Sequence, residues 1–226
     1  PIQKGDPTLT KLFRYLEDTY DEKTRRWHRL IETNDDYPHA PWWSYRDEED
    51  DYNPTASITG FILRFHEPNT SLYKIAHRIG LEIIQDLTQS NANFEMHELS
   101  FMFEFMNDVK GIYQHYAPYG VAREWIIDLI LNAIDPEPSR WLSSYVAKPQ
   151  TFIRPNQTIR DVRLTDRLME EFRLLMDHRN DHGIWSITWR WDQAYKEGIR
   201  AKEQWEGIVA LKTLLLMLEY ERLEKK

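Results

Sequence analysis

The sequence predicts an all-α protein built from antiparallel helix hairpins. Most of its long segments repeat apolar residues every three or four positions, which is the spacing of one helix face. The pairs Asp6-Pro7 and Asn53-Pro54 are typical of helix starts, because the first residue can cap free N–H groups and proline fits the first turn. Residues 186–189 alternate between apolar and polar side chains only weakly, over a stretch too short to predict a strand.

The apolar stripes place helices over residues 8–20, 54–66, 70–87, 95–109, 119–134, 139–147, 160–177 and 201–223. Asn69 should cap the third of these, whose stripe begins at Leu72 and ends at Leu87. The helix over 119–134 is apolar nearly all round, so we expect it to be buried. The stripe of the last helix consists of Trp205, Ile208, Val209, Leu215 and Leu218.

Two connections, residues 21–52 and 178–200, are much longer than the others. Long loops in a compact helical domain are usually functional or disordered, and the tryptophans in both favour an ordered, functional loop. The two regions also resemble each other. Each has an amphipathic helix, then a polar turn, then a tryptophan, with Asp18 before Trp27 and Asp177 before Trp185. The sequence therefore predicts a helix–turn–tryptophan unit that is used at least twice.

This repeat resembles that of the prenyltransferase and squalene-cyclase (terpenoid cyclase) superfamily. Four stretches more closely resemble a group of uncharacterised bacterial proteins described as prenyltransferase-like: DDYPHAPWW, NPTASITGFIL, MHEL and GIWSITWRW. The resemblance implies an α/α toroid, in which inner and outer helices pair around a central cavity. Helix 8–20 has no upstream partner, so we expect a single helical domain over 1–226 that is the C-terminal part of a longer toroid. Exposed apolar surface on Leu9, Phe13 or Leu16 would be the sign of this.

The catalytic and metal-binding motifs of that superfamily have no complete match among the residues of this sequence. The DxDD motif of protonating cyclases is absent, and Asp35-Asp36 does not continue into the DDxxD motif of ionising terpene synthases. The chain has no cysteine, which excludes the zinc site of protein prenyltransferases, the thioester of complement-type toroids and any disulfide. The resemblance therefore implies a fold and a cavity, and leaves the reaction and any cofactor undetermined.

Composition excludes several other classes of protein. The net charge is −8, with 29 basic and 37 acidic residues and no basic block, which argues against nucleic acid and anionic membrane surfaces as partners. Neither GxGxxG nor GxxxxGK[ST] occurs, so a nucleotide-binding loop of those types is excluded. No apolar run is long enough to span a membrane and no signal peptide is visible, so a cytoplasmic protein is expected.

The first candidate site is the segment NDDYPHAPWW, residues 34–43. Trp42 and Trp43 could form flat apolar walls at the lip of a cavity, and Asp35, Asp36 and His39 could supply polar chemistry there. A carboxylate beside His39 would raise the pKa of the imidazole and make it a proton donor. The alternative is a rigid loop in which the tryptophans plug a gap between helices. The acidic run at 46–51 is interpreted as a solvated loop.

The second candidate site is the helix that starts near Glu95. His97 and Glu98 lie in its first turn, and helical spacing places Glu104 and Asp108 on the same face as His97. Such a face could act in acid–base chemistry, although the HExxH spacing of zinc sites is missing and no metal is predicted. The alternative is structural, because carboxylates near a helix N-terminus favour the positive end of its dipole.

The third candidate is the set of tryptophans Trp185, Trp189 and Trp191, which could stack on a sugar ring or an isoprenoid chain, or pack as core. We expect them to meet His39, Trp42 and Trp43 at one concave site.

Three hypotheses about function follow from these candidate sites. The chain binds a small apolar ligand in an aromatic-lined cavity, or it is a carbohydrate-active (α/α) barrel with paired carboxylates, or it is a non-catalytic interaction scaffold. The oligomeric state is left undetermined.

Overall fold

A computed structural model describes residues 5–46, 51–89, 94–189 and 198–221. Across these ranges the chain is helical and has no β-strand, and its one isolated bridge joins Asp21 to Arg26. The all-α class is therefore confirmed, while the toroidal arrangement of the helices stays a prediction. Within the same ranges, no helix combines the length and the apolar character needed to cross a membrane.

Nine α-helices lie in the described ranges: α1 (Pro7–Asp18), α2 (Thr55–Phe65), α3 (Ser71–Leu87), α4 (Met96–Asp108), α5 (Lys110–Tyr113), α6 (Ala117–Ala133), α7 (Pro149–Phe152), α8 (Val162–Asp177) and α9 (Gly198–Glu219). Short 3-10 turns cover Glu32–Asp36, Pro41–Trp43 and Pro138–Leu142. The chain forms two compact units, residues 1–126 and 127–226, called here the N-terminal and C-terminal units.

The N-terminal unit is built around α2, which packs against α3 and α4. Gly60 allows the close approach of α2 and α4, because a Cβ atom there would lie 3.0 Å from the Cα of Phe105. Phe103, Phe105 and Ile62 are fully buried in this core. The helix–helix contact therefore depends on a missing side chain on α2 and on large apolar side chains on α4.

The apolar side of α1 is covered, so the expected exposure of Leu9, Phe13 and Leu16 is wrong. These side chains are only 3%, 7% and 6% exposed. The ring of Phe13 lies 5.7 Å from that of Phe61 and stacks on His66 at 4.1 Å. Periodicity correctly selected the buried face of α1, but it could not show that partners for this face lie within the same unit.

The C-terminal unit is built around α8, which packs on α7 and on the turn Pro138–Leu142. Trp141 of that turn is fully buried, and its indole N–H donates to the carbonyl of Asp135 at 2.9 Å. The guanidinium of Arg167 on α8 lies 4.9 Å from the Trp141 ring centre. These contacts give the turn a fixed place against α8, as expected for a buried aromatic residue whose polar atom is satisfied.

Two predicted helix caps differ from the observed ones. Asp6 caps α1 as predicted, since its carboxylate accepts from the N–H of Thr8 at 2.8 Å. For α3 the cap is Thr70 rather than Asn69, with the Thr70 hydroxyl accepting from the N–H of Tyr73. For α2, Pro54 holds the cap position and no side chain caps the helix, so Asn53 does not cap it. Neighbouring polar residues are equivalent candidates in a sequence, and the backbone geometry selects between them.

One prediction of burial holds only in part and another is wrong, because the helices concerned are apolar on more than one side. In α6, which was expected to be buried, Ile126, Ile127 and Ile130 are buried, whereas Val121 and Trp125 are exposed. In α9 the predicted stripe is mostly exposed, with Ile208 at 52% and Leu215 at 44%. The buried side of α9 is formed instead by Glu206, Ala210, Thr213, Leu216 and Met217.

Candidate functional site

The predicted helix–turn–tryptophan repeat is confirmed by two matching hydrogen bonds. The indole N–H of Trp27 donates to the carbonyl of Leu16 at 2.8 Å, and that of Trp185 donates to the carbonyl of Leu175 at 2.7 Å. Both carbonyls lie two residues before the end of their helix, α1 or α8. Both tryptophans are buried, at 3% and 4% exposure. Residues 7–27 and 162–185 are called here the first and second helix–loop–tryptophan motifs.

The loops of the two motifs are also closed in the same way, three residues after each helix. The side chain of Asp21 accepts from the N–H of Lys23 at 2.7 Å, and Asp21 donates its own N–H to the carbonyl of Arg26. The side chain of Asn180 accepts from the N–H groups of His182 and Ile184, and Asn180 donates to the carbonyl of Ile184. Asp and Asn commonly close loops through such local bonds. Each motif therefore returns the chain so that its tryptophan meets the helix end.

A cavity of about 560 Å³ lies beside the second motif, within the C-terminal unit. Four tryptophans are among its lining residues, Trp141, Trp185, Trp189 and Trp205, and the Trp141 side chain is itself fully buried. The ring of Trp189 meets that of Trp205 edge-on at 5.7 Å. Aromatic walls of this kind present flat apolar surface to a bound molecule, and the volume lies within the range of ordinary ligand pockets.

The polar part of this cavity is organised around Gln150. The ammonium of Lys212 donates to the Gln150 carbonyl at 2.7 Å, and the hydroxyl of Thr213 donates to its side-chain oxygen at 2.9 Å. The ammonium of Lys148 donates to the carbonyl of Trp141 at 3.1 Å. These four residues, Lys148, Gln150, Lys212 and Thr213, line the cavity and are called here its polar wall.

Glu171 on α8 lies behind the polar wall and is completely buried. One of its carboxylate oxygens accepts from the N–H of Gln150 at 2.8 Å, and the other lies 3.8 Å from the ammonium of Lys148. Burial raises the pKa of the Glu171 carboxyl, and the positive charges of Lys148 and Lys212 oppose that rise. Glu171 therefore supports the polar wall from the core and does not line the cavity itself.

The N-terminal unit has its own cavity, of about 600 Å³, beside the first motif. His28 and Asp21 line it, with an imidazole nitrogen of His28 3.0 Å from a carboxylate oxygen of Asp21. The hydrogen bond from the N–H of Lys23 lowers the pKa of the Asp21 carboxyl, with a smaller contribution from His28 against the opposing effect of burial. Its described lining residues include no tryptophan, and the charged ones among them are evenly divided in sign: Lys23, Arg29 and Arg46 against Asp21, Glu32 and Asp51.

The segment 34–43 lies next to this N-terminal cavity, but its candidate residues are outside the cavity wall. Glu32, Thr33, Tyr45 and Arg46 line the cavity on either side of the segment. The five candidates, Asp35, Asp36, His39, Trp42 and Trp43, are all exposed. Their prediction as a cavity lip therefore has no support from this cavity.

Hydrogen bonds within the segment explain its shape. The carboxylate of Asp35 accepts from the N–H of Tyr45 at 3.0 Å. The imidazole of His39 lies 2.6 Å from the carbonyl of Tyr37 and 3.0 Å from the hydroxyl of Ser44. A carboxylate oxygen of Asp35 is 3.4 Å from the same ring, so the predicted pairing of His39 with a carboxylate is present. These bonds fit the alternative of a rigid loop.

The candidates at the start of α4 have structural partners. The Glu95 carboxylate caps the helix by accepting from the N–H of His97 at 2.7 Å. Glu98 is buried and accepts from the N–H of Tyr52 at 3.0 Å, which ties α4 to the residues before α2. Burial raises the pKa of the Glu98 carboxyl. At the other end of the helix, Asp108 pairs with Arg64 at 2.7 Å. The described residues hold no group of three His, Asp or Glu side chains that could bind a metal ion.

Of the third candidate set, Trp185 and Trp189 lie in the wall of the C-terminal cavity, and Trp191 lies outside the described residues. Sequence reasoning missed the role of Trp141 and the polar wall entirely. Trp205 was assigned to the stripe of the last helix, and it lines the cavity as well. Two features of the sequence could have indicated the lysines of the polar wall. Lys212 is a single lysine between apolar residues of α9, and Lys148 directly precedes a proline.

Known proteins offer no guide to this cavity. No protein-family model, curated protein or solved structure matches the chain.

Proposed function

We propose that this chain is a small-molecule-binding protein whose ligand occupies the C-terminal cavity. The observation that carries the proposal is the cavity of about 560 Å³ with four tryptophans in its wall and a small polar wall on one side. A concave, largely apolar site with a few placed polar groups is the usual form of a small-molecule site. The proposal names Trp185 and Trp189 as ligand-contacting residues and adds Trp205, while the fully buried Trp141 packs behind them.

The apolar character of the wall favours a ligand with a flat or extended hydrophobic body. Indole faces stack on aromatic rings and on hydrocarbon chains, and each contact removes apolar surface from water. The resemblance to terpenoid toroids adds isoprenoid chains to the candidates. A carbohydrate site needs a pair of carboxylates across the bond to be cleaved, and only Asp177 contributes a carboxylate to the described wall of this cavity.

The proposal is tested by titrating the protein with Nile red, a neutral apolar dye, and displacing it with farnesol, indole or cellobiose. We expect one dye site per chain, displaced by farnesol or indole and not by cellobiose. Trp205→Ala should weaken dye binding about tenfold or more, because removing an aromatic anchor from a binding pocket typically costs over 1 kcal/mol. Trp125→Ala is the matched control, since Trp125 is 41% exposed and Trp205 is 40% exposed.

Three results would contradict the proposal: no binding by any probe, equal loss in Trp205→Ala and Trp125→Ala, or displacement by cellobiose alone, which would favour the carbohydrate hypothesis. A third variant, Trp43→Ala, addresses the earlier prediction for residues 34–43. If the ligand lies in the C-terminal cavity, this variant should bind like the unmodified protein. Weaker binding in Trp43→Ala and unchanged binding in Trp205→Ala would move the site to the segment NDDYPHAPWW.

A further inference from the structure

The charges around the C-terminal cavity differ in sign from the charge of the chain as a whole. Lys148, Arg179 and Lys212 line the cavity, and Asp177 is the one acidic residue among its described lining residues. The chain itself carries a net charge of −8. Asp177 is the last residue of α8 and Arg179 follows it; both are exposed, so their opposite charges offset each other in solvent. The excess positive charge therefore belongs to the two lysines of the polar wall.

Both ammonium groups are held in place by backbone carbonyls. Lys148 bonds to the carbonyl of Trp141 and Lys212 bonds to that of Gln150, at 3.1 and 2.7 Å. The two lysines come from different elements, one directly before α7 and one in α9, and both act electrostatically on Glu171. An ammonium carries three N–H donors, so a backbone carbonyl orients it without preventing it from bonding to a ligand.

Glu171 does not cancel these two positive charges. It is a single carboxylate facing two ammonium groups, and it is completely buried behind Gln150. Burial raises the pKa of its carboxyl, and the positive charges of Lys148 and Lys212 oppose that rise. Among the described residues, the two lysines of the polar wall together with Glu171 thus carry a net positive charge beside an apolar, tryptophan-lined space, where an ion pair is stronger than in bulk water.

We infer that the ligand of this cavity is an amphipathic anion, with a carboxylate or phosphate head group on Lys148 and Lys212 and an apolar body against the tryptophans. The inference rests on the proposed function and names the class of ligand. Charge-assisted hydrogen bonds are about twice as strong as neutral ones, so the head group selects for acids and the indoles select for apolar bodies. The described lining of the N-terminal cavity, with evenly divided charges and no tryptophan, lacks this combination.

The test compares three ligands that share one apolar body: 2-naphthoate, 2-naphthyl phosphate and the neutral 2-naphthamide, each titrated calorimetrically. We expect at least one of the two acids to bind about tenfold or more tightly than the amide, with an advantage that shrinks as salt is added. Whichever acid binds more tightly identifies the head group. Lys212→Met and Lys148→Met should each remove most of that advantage, because methionine keeps the apolar stem and loses the charge.

Lys202→Met is the matched control, because Lys202 also lies in α9, pairs with Glu206 at 3.8 Å and does not line the cavity. Should Lys148→Met unfold the protein by leaving Glu171 unpaired, Lys212→Met still decides the question, since it keeps the contact between Lys148 and Glu171. Equal binding of the acids and the amide would overturn the inference and leave the proposed function standing. Equal loss of selectivity in Lys202→Met and Lys212→Met would also overturn it. Failure of every naphthalene ligand and of Nile red would overturn both.

Discussion

The two helix–loop–tryptophan motifs share one way of closing and differ in everything around it. In both, an indole N–H bonds to a carbonyl near the end of the preceding helix, and an Asx residue closes the loop. Trp185 also lines a cavity, whereas Trp27 is outside the wall of the cavity beside the first motif. The closing residue is charged in the first motif and neutral in the second. The comparison teaches that the tryptophan–carbonyl bond is a structural device, and that the neighbouring elements decide the chemistry of each cavity.

The strongest test of this comparison truncates the two buried indoles. Trp27→Ala and Trp185→Ala should each lower the free energy of unfolding by about 3–5 kcal/mol, because each removes a large buried side chain and its hydrogen bond to a backbone carbonyl. Denaturant unfolding measures both. If Trp27 is purely structural, then Trp27→Ala at a temperature where it is folded should bind Nile red normally.

The Trp→Phe variants separate packing from hydrogen bonding. Each keeps a ring and loses the N–H donor, so the losses should be smaller than in the alanine variants. We expect about 1–3 kcal/mol for Trp27→Phe, which removes the indole donor of the Leu16 carbonyl. Trp185→Phe should lose less, because the Leu175 carbonyl also accepts from the N–H of His178 at 3.3 Å. A larger loss in Trp185→Phe than in Trp27→Phe would contradict this difference.

The second prediction compares helix packing through glycines. Gly60→Ala should destabilise the protein by about 1–3 kcal/mol, because the new Cβ would lie 3.0 Å from the Cα of Phe105, which is backbone and cannot move alone. In α9 of the C-terminal unit, a Cβ at Gly207 would meet nothing within 4 Å. Gly207→Ala should therefore stabilise by up to about 1 kcal/mol through helix propensity. A melting temperature of Gly60→Ala equal to or above that of the unmodified protein would contradict the close contact of α2 and α4.

The third prediction uses the left-handed residue in each loop. This position is Arg25 in the first motif, with φ of 59°, and Gly183 in the second, with φ of 74°. Gly183→Ala should cost about 1 kcal/mol from backbone strain alone, because a Cβ there would meet nothing within 4 Å. Arg25→Gly relieves the same strain but loses an exposed ion pair with Glu82, so its net change should be smaller and stabilising. Destabilisation by Arg25→Gly would show that this ion pair outweighs the strain.

The smallest expected effect is a pH dependence that the closing residue of the first motif should have and that of the second should not. The pKa of the Asp21 carboxyl is lowered in the folded state, chiefly by the N–H of Lys23, so its stabilising effect is present above the unfolded pKa of about 3.9 and is lost as the pH falls through the folded value. Asn180 has no such titration. Asp21→Asn should therefore reduce the loss of melting temperature between pH 7 and pH 3, and Asn180→Asp should increase it. The shifts should be small, since the Asp21 side chain is 30% exposed.

The sequence by itself determined the helical class, the approximate bounds of the long helices and the existence of the repeated motif. These features depend on contacts between residues close along the chain, such as the hydrogen bond from Thr8 to Asp6 and that from Trp27 to Leu16. Hydrophobic periodicity and turn residues therefore predict them. The same short range explains the misplaced cap of α3, because Asn69 and Thr70 are both good caps and only the backbone distinguishes them.

Only the tertiary structure decided which face of α9 is buried and which residues form the polar wall. Helix α9 is apolar on several sides, so its periodicity selects no single face. Its orientation follows instead from long-range contacts, in which Thr213 and Lys212 bond to Gln150, more than sixty residues earlier in the chain. Gln150 is in turn held by Glu171 of α8. Such convergence leaves no local pattern in the sequence, because each partner is an ordinary polar residue until folding brings the partners together.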